Sequence, residues 1–319
     1  MEDLSFYDEG YFWLPSERDN KIPGIIKYNN GKFSLRLFGR FKENQDPFSL
    51  ENIILGRCHE NHQLTLYKSI YYGYWPQPGS IPDPEGMVFS DYDAYYLFVG
   101  YHFNEVNDIK FNSISLKFSP INDWMRKKFE GSEEKKFANL DENTTIKIEY
   151  GKDRRNENRI SREYPIYIIR SKNSLNLNEI YEKSRILSEF LFFVSDENPS
   201  IVELNCYNFD ISKKPPISEY VQIYSFRNSI YNGYHKNRDN LFEFCEIEEK
   251  YYELLELWFS KRNKLEPIFA HYFTTKFNPD LLLHIKFFNY IHALEGYSKV
   301  LKRKEEKLNK RLKRIFNKY

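Results

Sequence analysis

The first half of the chain is built from short runs in which apolar and polar positions alternate. These runs are rich in β-branched and aromatic residues, and a period of two is typical of strands with one buried face. Asn29-Asn30-Gly31 separates two of the runs, and Asn and Gly accept the positive φ angles of a tight hairpin turn. The predicted strands cover residues 25–28, 33–38, 52–55, 64–71, 95–103, 114–118, 145–150 and 164–169. The pattern therefore predicts a β-sandwich or a β-barrel.

A change of period near residue 176 predicts a helix that packs on this sheet. Leu177, Ile180, Leu187 and Leu191 fall on one face at helical spacing. Residues 200–209 then return to the strand pattern.

From residue 239 onward the strand alternation is absent. Apolar positions between Phe242 and Trp258 predict one long amphipathic helix, and Pro279 suits the first turn of another. The chain is therefore predicted to be an α+β protein with two domains. We expect a β-rich domain over residues 1–235, sandwich or barrel-like with one packed helix, and an all-α domain over residues 236–319.

A proline-rich stretch interrupts the β-rich region. Residues 75–86 contain four prolines and two glycines, which predicts a long loop, and such loops often carry binding residues. Trp75 lies in this loop, and Trp13 lies in an aromatic string near the N-terminus. Trp13 and Trp75 are therefore candidates for a ligand or sensing surface, although aromatic residues in a domain of this composition also fill cores.

Composition and charge place only weak limits on function. The formal net charge of +1 provides no overall field that would attract nucleic acid or a membrane. Three widely spaced cysteines favour reduced thiols. The first nine residues carry four acidic residues and no basic one, and residues 190–194, the most apolar stretch, are too short to span a bilayer. We expect a cytoplasmic protein without a membrane partner.

One segment combines cysteine and histidine. Arg57-Cys58-His59-Glu60-Asn61-His62 brings soft and borderline metal ligands together. A tetrahedral site needs a second pair of ligands, and the sequence supplies none at a familiar spacing. We expect no metal site and no cofactor.

Charge separates along the helical region. Residues 241–257 carry a net charge near −5, whereas residues 299–318 carry about +8, so the two segments can attract each other. Clustered cations release counterions when they bind phosphates. Candidate RNA contacts are Lys302, Arg303, Lys310, Arg311 and Arg314.

Two polar residues on the last predicted helix are candidates for chemistry. His292 is a candidate because histidine is the residue type suited to carrying protons in proteins, and Glu295 would be costly to bury without a partner. Both residue types also serve as structural partners on helices, so that reading stays open.

Several short motifs occur in an order that resembles a known family. The pieces are Phe12-Trp13-Leu14-Pro15, Pro23-Gly24, Leu35-Arg36-Leu37-Phe38-Gly39, Ile54-Leu55-Gly56, Leu64-Thr65-Leu66, Gly100-Tyr101-His102-Phe103, and Leu116 leading to Trp124. Over residues 5–235 this order resembles the N-terminal domain of ApeA-type anti-phage defence proteins. Residues 254–258 and 287–297 are similar to the opening helices of the HEPN domain that follows in that family.

The resemblance implies which molecules the protein binds and which reaction its nuclease relatives catalyse. HEPN domains are helical bundles that commonly dimerise, and nuclease members carry an Arg followed four to six residues later by a His. In such a pair a His transfers a proton while an Arg stabilises charge on the phosphoryl group. The resemblance thus implies RNA and a phage protein trigger as partners, and a homodimer formed through the helical domain.

This chain departs from the nuclease pattern. Arg262 lies nine positions before His271, and no His follows His292. Arg57 and His62 have the required spacing but fall in the β-rich part. We expect an incomplete HEPN-type bundle that stops before its catalytic helix, without catalytic residues and inactive as a nuclease alone.

Two other functions fit the residues. The β-rich domain could be a carbohydrate- or peptide-binding module with a helical dimerisation tail. The chain could also be a pure interaction protein in which acidic and basic helices pair between protomers.

Overall fold

The structure is a computed structural model of the 319-residue chain. It describes residues 6–29, 32–42, 45–59, 62–73, 89–119, 121–125, 129, 135–152, 163–196, 199–210, 217–225, 242–278 and 280–300. The chain divides into two compact units, Met1–Glu253 and Leu254–Tyr319. The boundary expected between residues 235 and 236 lies outside the described residues.

The described residues of the first unit form twelve strands and several helices. The strands are β1 Phe6–Trp13, β2 Ile22–Asn29, β3 Lys32–Leu37, β4 Leu50–Cys58, β5 Gln63–Gly73, β6 Ser90–Val99, β7 Lys110–Ser119, β8 Ala138–Asn139, β9 Thr144–Lys152, β10 Glu163–Asn176, β11 Ser200–Asp210 and β12 Ile217–Ser225. The helices are α1 Ile121–Trp124, α2 Leu177–Ser195 and α3 Phe244–Ile247, with short 3₁₀ helices at Val106–Asp108 and Glu248–Lys250.

The first six strands close into an antiparallel barrel. β1 pairs with β2, β2 with β3, β3 with β6, β6 with β5, β5 with β4, and β4 returns to β1. Asn29 pairs with Lys32, so β2 and β3 form the predicted hairpin. Closure pairs both edges of each of these strands over much of its length, which leaves little free edge for another chain to extend. The predicted β-rich fold is confirmed, and this part of it is a barrel.

Alternate side chains along the strands point into the barrel, and these inward-pointing residues are mostly apolar. On β1, Tyr11 is 56% exposed and its neighbour Phe12 is 0% exposed. A Cβ atom at Gly56 would lie 2.6 Å from carbons of the Phe12 ring, so only glycine leaves room for that ring. The interior includes Phe12, Leu14, Ile22, Ile26, Phe33, Leu35, Leu37, Ile54, Leu64, Leu66, Tyr92 and Leu97.

β6 joins the barrel to an open sheet. Its first half pairs with β3, and residues Tyr96 to Val99 pair with β12. The sheet continues in the order β12-β11-β7-β10-β9-β8. Because the barrel and the open sheet share β6, they form one continuous hydrogen-bonded structure.

The predicted helix on this sheet is confirmed as α2. Asn176 accepts a hydrogen bond from the backbone N–H of Glu179 at 3.1 Å, and the Glu179 carboxylate accepts from the Asn176 N–H at 2.8 Å. This reciprocal pair satisfies two donors that the first turn leaves open. The apolar face of α2 contacts β10 and β7 and buries Ile180, Leu187 and Leu191.

An aromatic cluster packs α1 and α3 together. The Trp124 ring lies edge-on to Phe244 with centroids 5.1 Å apart, and its indole N–H donates to the Phe242 carbonyl at 2.9 Å. Tyr251 contacts Trp124, Phe244 and Phe190. These contacts lie within the first unit and connect its last residues to the sheet.

The helix predicted from Phe242 to Trp258 is interrupted in the structure. Residues 244–250 form α3 and a 3₁₀ turn, and α4 begins at Tyr251 and ends at Arg262. Glu243 and Glu246 form a capping box at the start of α3, in which the Glu246 carboxylate accepts from the Glu243 N–H at 2.8 Å. The interruption also lets the Phe244 and Tyr251 rings meet 5.6 Å apart.

The second unit contains most of α4, followed by α5 Glu266–Phe277 and α6 Leu283–Val300. Trp258 packs on Phe269, and the buried Arg262 forms an ion pair with Glu266 and lies over the Phe269 ring. α5 and α6 pack side by side, with Phe273 and Ala293 buried. The predicted α+β architecture, β-rich first and helical second, is confirmed.

Candidate functional site

Trp13 lies in a buried cluster on the outer side of the barrel wall. It packs with Ile53, Leu55 and Tyr67, and its ring stands edge-on to His102 with centroids 5.3 Å apart. Lys21 lies 5.2 Å from the centre of the Trp13 ring. The structure therefore places Trp13 in a packing role, and its ring presents no open face on which a ligand could stack.

Several of the family-like motifs meet at this cluster although they are far apart in sequence. Thr65 donates to the Tyr101 carbonyl at 2.8 Å and accepts from the Phe103 N–H at 3.0 Å. The His102 Nε2 atom lies 2.7 Å from the Gly56 carbonyl oxygen. These bonds fasten residues 101–103 to strands β4 and β5.

The protonation of His102 follows from its contacts. A carbonyl oxygen only accepts hydrogen bonds, so Nε2 carries the proton and, in the neutral ring, Nδ1 does not. Burial lowers the pKa of His102, and the positive charges of Arg57 and Arg18 act in the same direction. The imidazole is therefore neutral near pH 7, which suits a structural hydrogen bond.

A groove with a volume of about 570 Å³ lies on the outer face of the barrel, a size within the usual range for ligand sites. Its floor holds two cross-strand rows, Ile25–Arg36–Asp91 and Lys27–Ser34–Asp93. Arg36 binds Asp91 through two hydrogen bonds of 2.8 and 3.0 Å.

Aromatic rings border this groove. Phe38 and Phe89 stand edge-on at one end with centroids 5.8 Å apart. Tyr72 lines another side, and the pKa of its hydroxyl is raised by burial and by the neighbouring Asp93 carboxylate. Exposed aromatic rings around fixed charged groups are typical of surfaces that bind other proteins.

Of the cysteine and histidine segment, the structure describes residues 57–59 and His62. Cys58 is buried, and burial together with the Asp8 charge raises the pKa of its thiol to about 12, so it stays protonated. His62 faces Asp8 at 3.8 Å. Within the described ranges, no three His, Cys, Asp or Glu side chains lie close enough to share a metal ion.

In the helical unit, His292 and Glu295 lie near each other on α6. Their Nδ1 and Oε2 atoms are 3.8 Å apart and both side chains are about half exposed. The His271 ring on α5 lies 5.5 Å from the His292 ring, and its Nδ1 atom is 3.4 Å from the Asn289 side-chain oxygen. Among the described residues of this unit the only arginine is the buried Arg262, so no exposed guanidinium is described beside these side chains.

The other candidates fall outside the part of the chain that the structure describes. These are Trp75 and the basic residues Lys302, Arg303, Lys310, Arg311 and Arg314. In the described helices, none combines the length and apolar character needed to cross a membrane.

Sequence reasoning missed the barrel groove and the contact between His271 and His292. Lys27, Ser34, Arg36, Asp91 and Asp93 occupy outward positions of three strands, and strand alternation could have marked each as exposed. Their meeting depends on the β3–β6 pairing, for which the sequence carries no local signal.

The comparison with protein families matched most of the chain to a known domain. The model of the ApeA N-terminal domain 1 matches residues 9–258, which covers the barrel, the open sheet and the start of the helical region. The comparisons with curated proteins and with solved structures gave no match. The match does not favour a carbohydrate- or peptide-binding module as the function. Since it covers more than half of the chain, this protein belongs to the ApeA N-terminal domain 1 family, which supports a place among the ApeA-type anti-phage defence proteins.

Proposed function

We propose that the barrel and its open sheet form the sensing and regulatory domain of an anti-phage defence protein. In this proposal the helical unit is part of a HEPN-type ribonuclease domain. The observation that carries it is the family match over residues 9–258. The sensed molecule is a phage protein, and RNA is the substrate of the complete ribonuclease domain.

The barrel supports a sensing role because its outer face offers a partner site. The β2, β3 and β6 strands under the groove are paired along this face, so a partner would contact side chains instead of adding a strand. Arg36 and Asp91 hold each other in a fixed orientation. A rigid charged floor with aromatic borders gives specificity to a protein contact.

The contacts of the helical unit support the proposal that this chain alone is inactive as a ribonuclease. Arg262, the nearest Arg before His271, is buried against Phe269 and bound to Glu266. A buried guanidinium cannot reach a phosphoryl group in solution. Arg262 is the only arginine among the described residues of this unit, so within that part of the chain no free guanidinium is available to give His292 and Glu295 the charge stabilisation that RNA cleavage needs.

We expect the purified chain to leave RNA intact. Incubation with end-labelled single-stranded RNA and with transfer RNA should give no more cleavage than a buffer control, measured on denaturing gels. His292→Ala and His271→Ala variants would identify the source of any cleavage. RNA cleavage by the unmodified chain that both substitutions abolish would show that this unit is catalytic alone.

A phage challenge tests the defence role directly. Cells carrying the native locus should plate at least one phage about tenfold less efficiently than cells in which codons 9–258 are deleted in frame. Restored plating is expected because the deletion removes the whole matched domain. Equal plating of a broad phage panel on both strains would contradict a defence role.

A further inference from the structure

The charges on the floor of the barrel groove lie on two different sides of it. Asp91 and Asp93 are two residues apart on β6, so both side chains lie on the outer face of the barrel. The cations among the described lining residues are Lys27 on β2 and Arg36 on β3. The β6 side of the groove is therefore acidic, and the β2 side is basic.

Neither cation stands in the way of a positively charged ligand on the β6 side. Arg36 donates two hydrogen bonds of 2.8 and 3.0 Å to Asp91, so this pair has little net charge. The Lys27 ammonium lies 5.5 Å from the centre of the Tyr7 ring on β1, on the side of β2 that faces away from β6. Lys27 and Asp93 share one cross-strand row with a single residue between them, which places their Cα atoms about 10 Å apart.

The carboxylates set the potential on the β6 side. The Tyr72 hydroxyl donates a hydrogen bond to Asp93, and burial and the Asp93 charge both raise the pKa of that hydroxyl. The hydrogen bonds and the charge of Asp91 raise the pKa of the Arg36 guanidinium. A nearby negative charge raises a pKa in both kinds of group. A ligand on this side is therefore favoured when it carries a positive charge.

The aromatic border selects among the possible cations. Phe38 and Phe89 stand at one end of the groove, and Tyr72 on β5 lies beside β6. A guanidinium is planar, so it can stack on an aromatic ring while its N–H groups bind a carboxylate. Arg36 shows that a guanidinium and a carboxylate form a two-bond pair on this floor. An ammonium has no planar face and holds its water more strongly, so it fits less well.

Phe48 extends the aromatic border beyond Tyr72. The two rings are edge-on with centroids 5.9 Å apart, and Phe48 is 67% exposed. Phe48 lies in a tight turn that the Ser49 N–H closes with the Asp46 carbonyl at 3.1 Å, and its φ angle is +65°. This backbone conformation favours glycine and is costly for a bulky residue. Stability does not account for a strained phenylalanine with most of its ring in solvent, whereas an aromatic anchor at an interface has this form.

We infer that the groove receives an arginine side chain of a partner protein. Its guanidinium stacks on Tyr72 and bonds to Asp93, and Phe48 packs against the partner residues beside that arginine. The partner is the protein that the sensing domain detects, so this part rests on the proposed function. The preference of the groove for arginine does not rest on it, and the two are tested separately.

Capped peptides test the chemistry of the groove. An N-acetylated, C-amidated Gly-Arg-Gly peptide and its lysine and glutamate counterparts are titrated into the full-length chain and followed by ligand-observed NMR. The arginine peptide should bind with a Kd of about 1 mM, and the lysine peptide about threefold more weakly. Asp93→Asn should weaken binding of the arginine peptide about fivefold or more. Glu9→Gln is the matched control, since Glu9 is an exposed carboxylate on β1 that is not among the described lining residues, and it should leave the Kd unchanged.

Two results with these peptides would contradict the inference. One is binding of the arginine peptide that Asp93→Asn leaves unchanged, or equal binding of all three peptides. The other is tighter binding of the glutamate peptide that Lys27→Ala abolishes, because the groove would then take an anion.

A phage that the native locus restricts tests the partner. Asp93→Asn and Phe48→Gly should each restore plating of that phage about tenfold or more, the effect of losing an interface hot spot, while Glu9→Gln should keep the restriction. Glycine accepts a positive φ, so the urea midpoint of Phe48→Gly should be unchanged or higher, which separates lost recognition from lost folding. Full restriction by both variants would overturn the partner role of the groove. A locus that restricts no phage would instead contradict the proposed function, and the peptide result would stand.

Discussion

Phe12→Ala should lower the free energy of unfolding of the barrel by about 3–5 kcal/mol, the usual cost of removing a buried phenylalanine ring. Phe12 is 0% exposed and lies in the barrel interior. Its ring fills the space above two glycines, because a Cβ atom at Gly24 or Gly56 would come within 3.1 or 2.6 Å of it. Strands β1, β2 and β4 cannot collapse into the resulting cavity without breaking their pairing, so little of the loss is recovered.

Tyr11 on the same strand is the matched control. It points outward and is 56% exposed, so Tyr11→Ala should change stability by less than about 1 kcal/mol. Urea denaturation followed by tryptophan fluorescence measures both variants. Similar losses for the two substitutions would mean that the barrel interior is not where the structure places it. Phe12→Ala also serves in the phage challenge as a variant whose sensing domain is destabilised.

Local patterns were sufficient to predict most strands of the barrel and the open sheet. β2, β3 and β9 carry clear alternation, because each has one face inside and one face outside. β1 was missed, since Asp8, Glu9 and Gly10 precede its aromatic residues and hide the strand pattern. β12 was missed as well, because its alternation follows directly on Pro215-Pro216.

Closure of the barrel could not be predicted because it depends on one long-range pairing. β3 and β6 are separated by two intervening strands, and their partners, such as Arg36 and Asp91, are 55 residues apart. An aspartate could lie opposite an arginine in many different strand registers, so this pair does not identify the correct one. The register that forms the groove is fixed only by the folded structure.

The interpretation of Trp13 shows why the site was harder to predict than the fold. An aromatic string beside polar residues suggests an exposed surface, yet Trp13 is covered by Tyr67 and by His102. His102 comes from a segment almost ninety residues later in the chain. Residues that carry a family resemblance can therefore have a structural role and no contact with a ligand. The hydrogen bonds of Thr65 and Gly56 support that interpretation here.

Alkaline pH should destabilise the first unit steeply, because three buried tyrosines must stay neutral in the folded state. Burial raises the pKa of Tyr92, Tyr167 and Tyr251 above the ordinary value near 10. Tyr167 and Tyr251 bond to each other at 2.9 Å, and Tyr167 also donates to the Met125 sulfur at 3.4 Å. Each hydroxyl has one proton, so Tyr251 donates to Tyr167, and ionisation of either would break the chain of bonds.

The direction of the effect follows from which state loses protons first. Below pH 10 both states are protonated and the contribution of these tyrosines to stability is complete. Above it the unfolded chain ionises while the folded chain does not, so the free energy of unfolding falls by about 1.4 kcal/mol per pH unit for each tyrosine, or about 4 kcal/mol for the three. The loss continues until the raised pKa values of the folded state are reached.

Urea denaturation between pH 9 and 11.5, a window that brackets the ordinary tyrosine pKa near 10, measures this slope. Tyr167→Phe should make the slope shallower by about 1.4 kcal/mol per pH unit, at a cost of about 1 kcal/mol at neutral pH from the lost hydrogen bonds. Tyr11→Phe, at an exposed position, should leave the slope unchanged. If Tyr167→Phe and the unmodified chain had the same slope, Tyr167 would have to ionise in the folded state as readily as in the unfolded one. Its hydroxyl would then be in contact with water, and the aromatic cluster that connects Tyr251 to the sheet would be open.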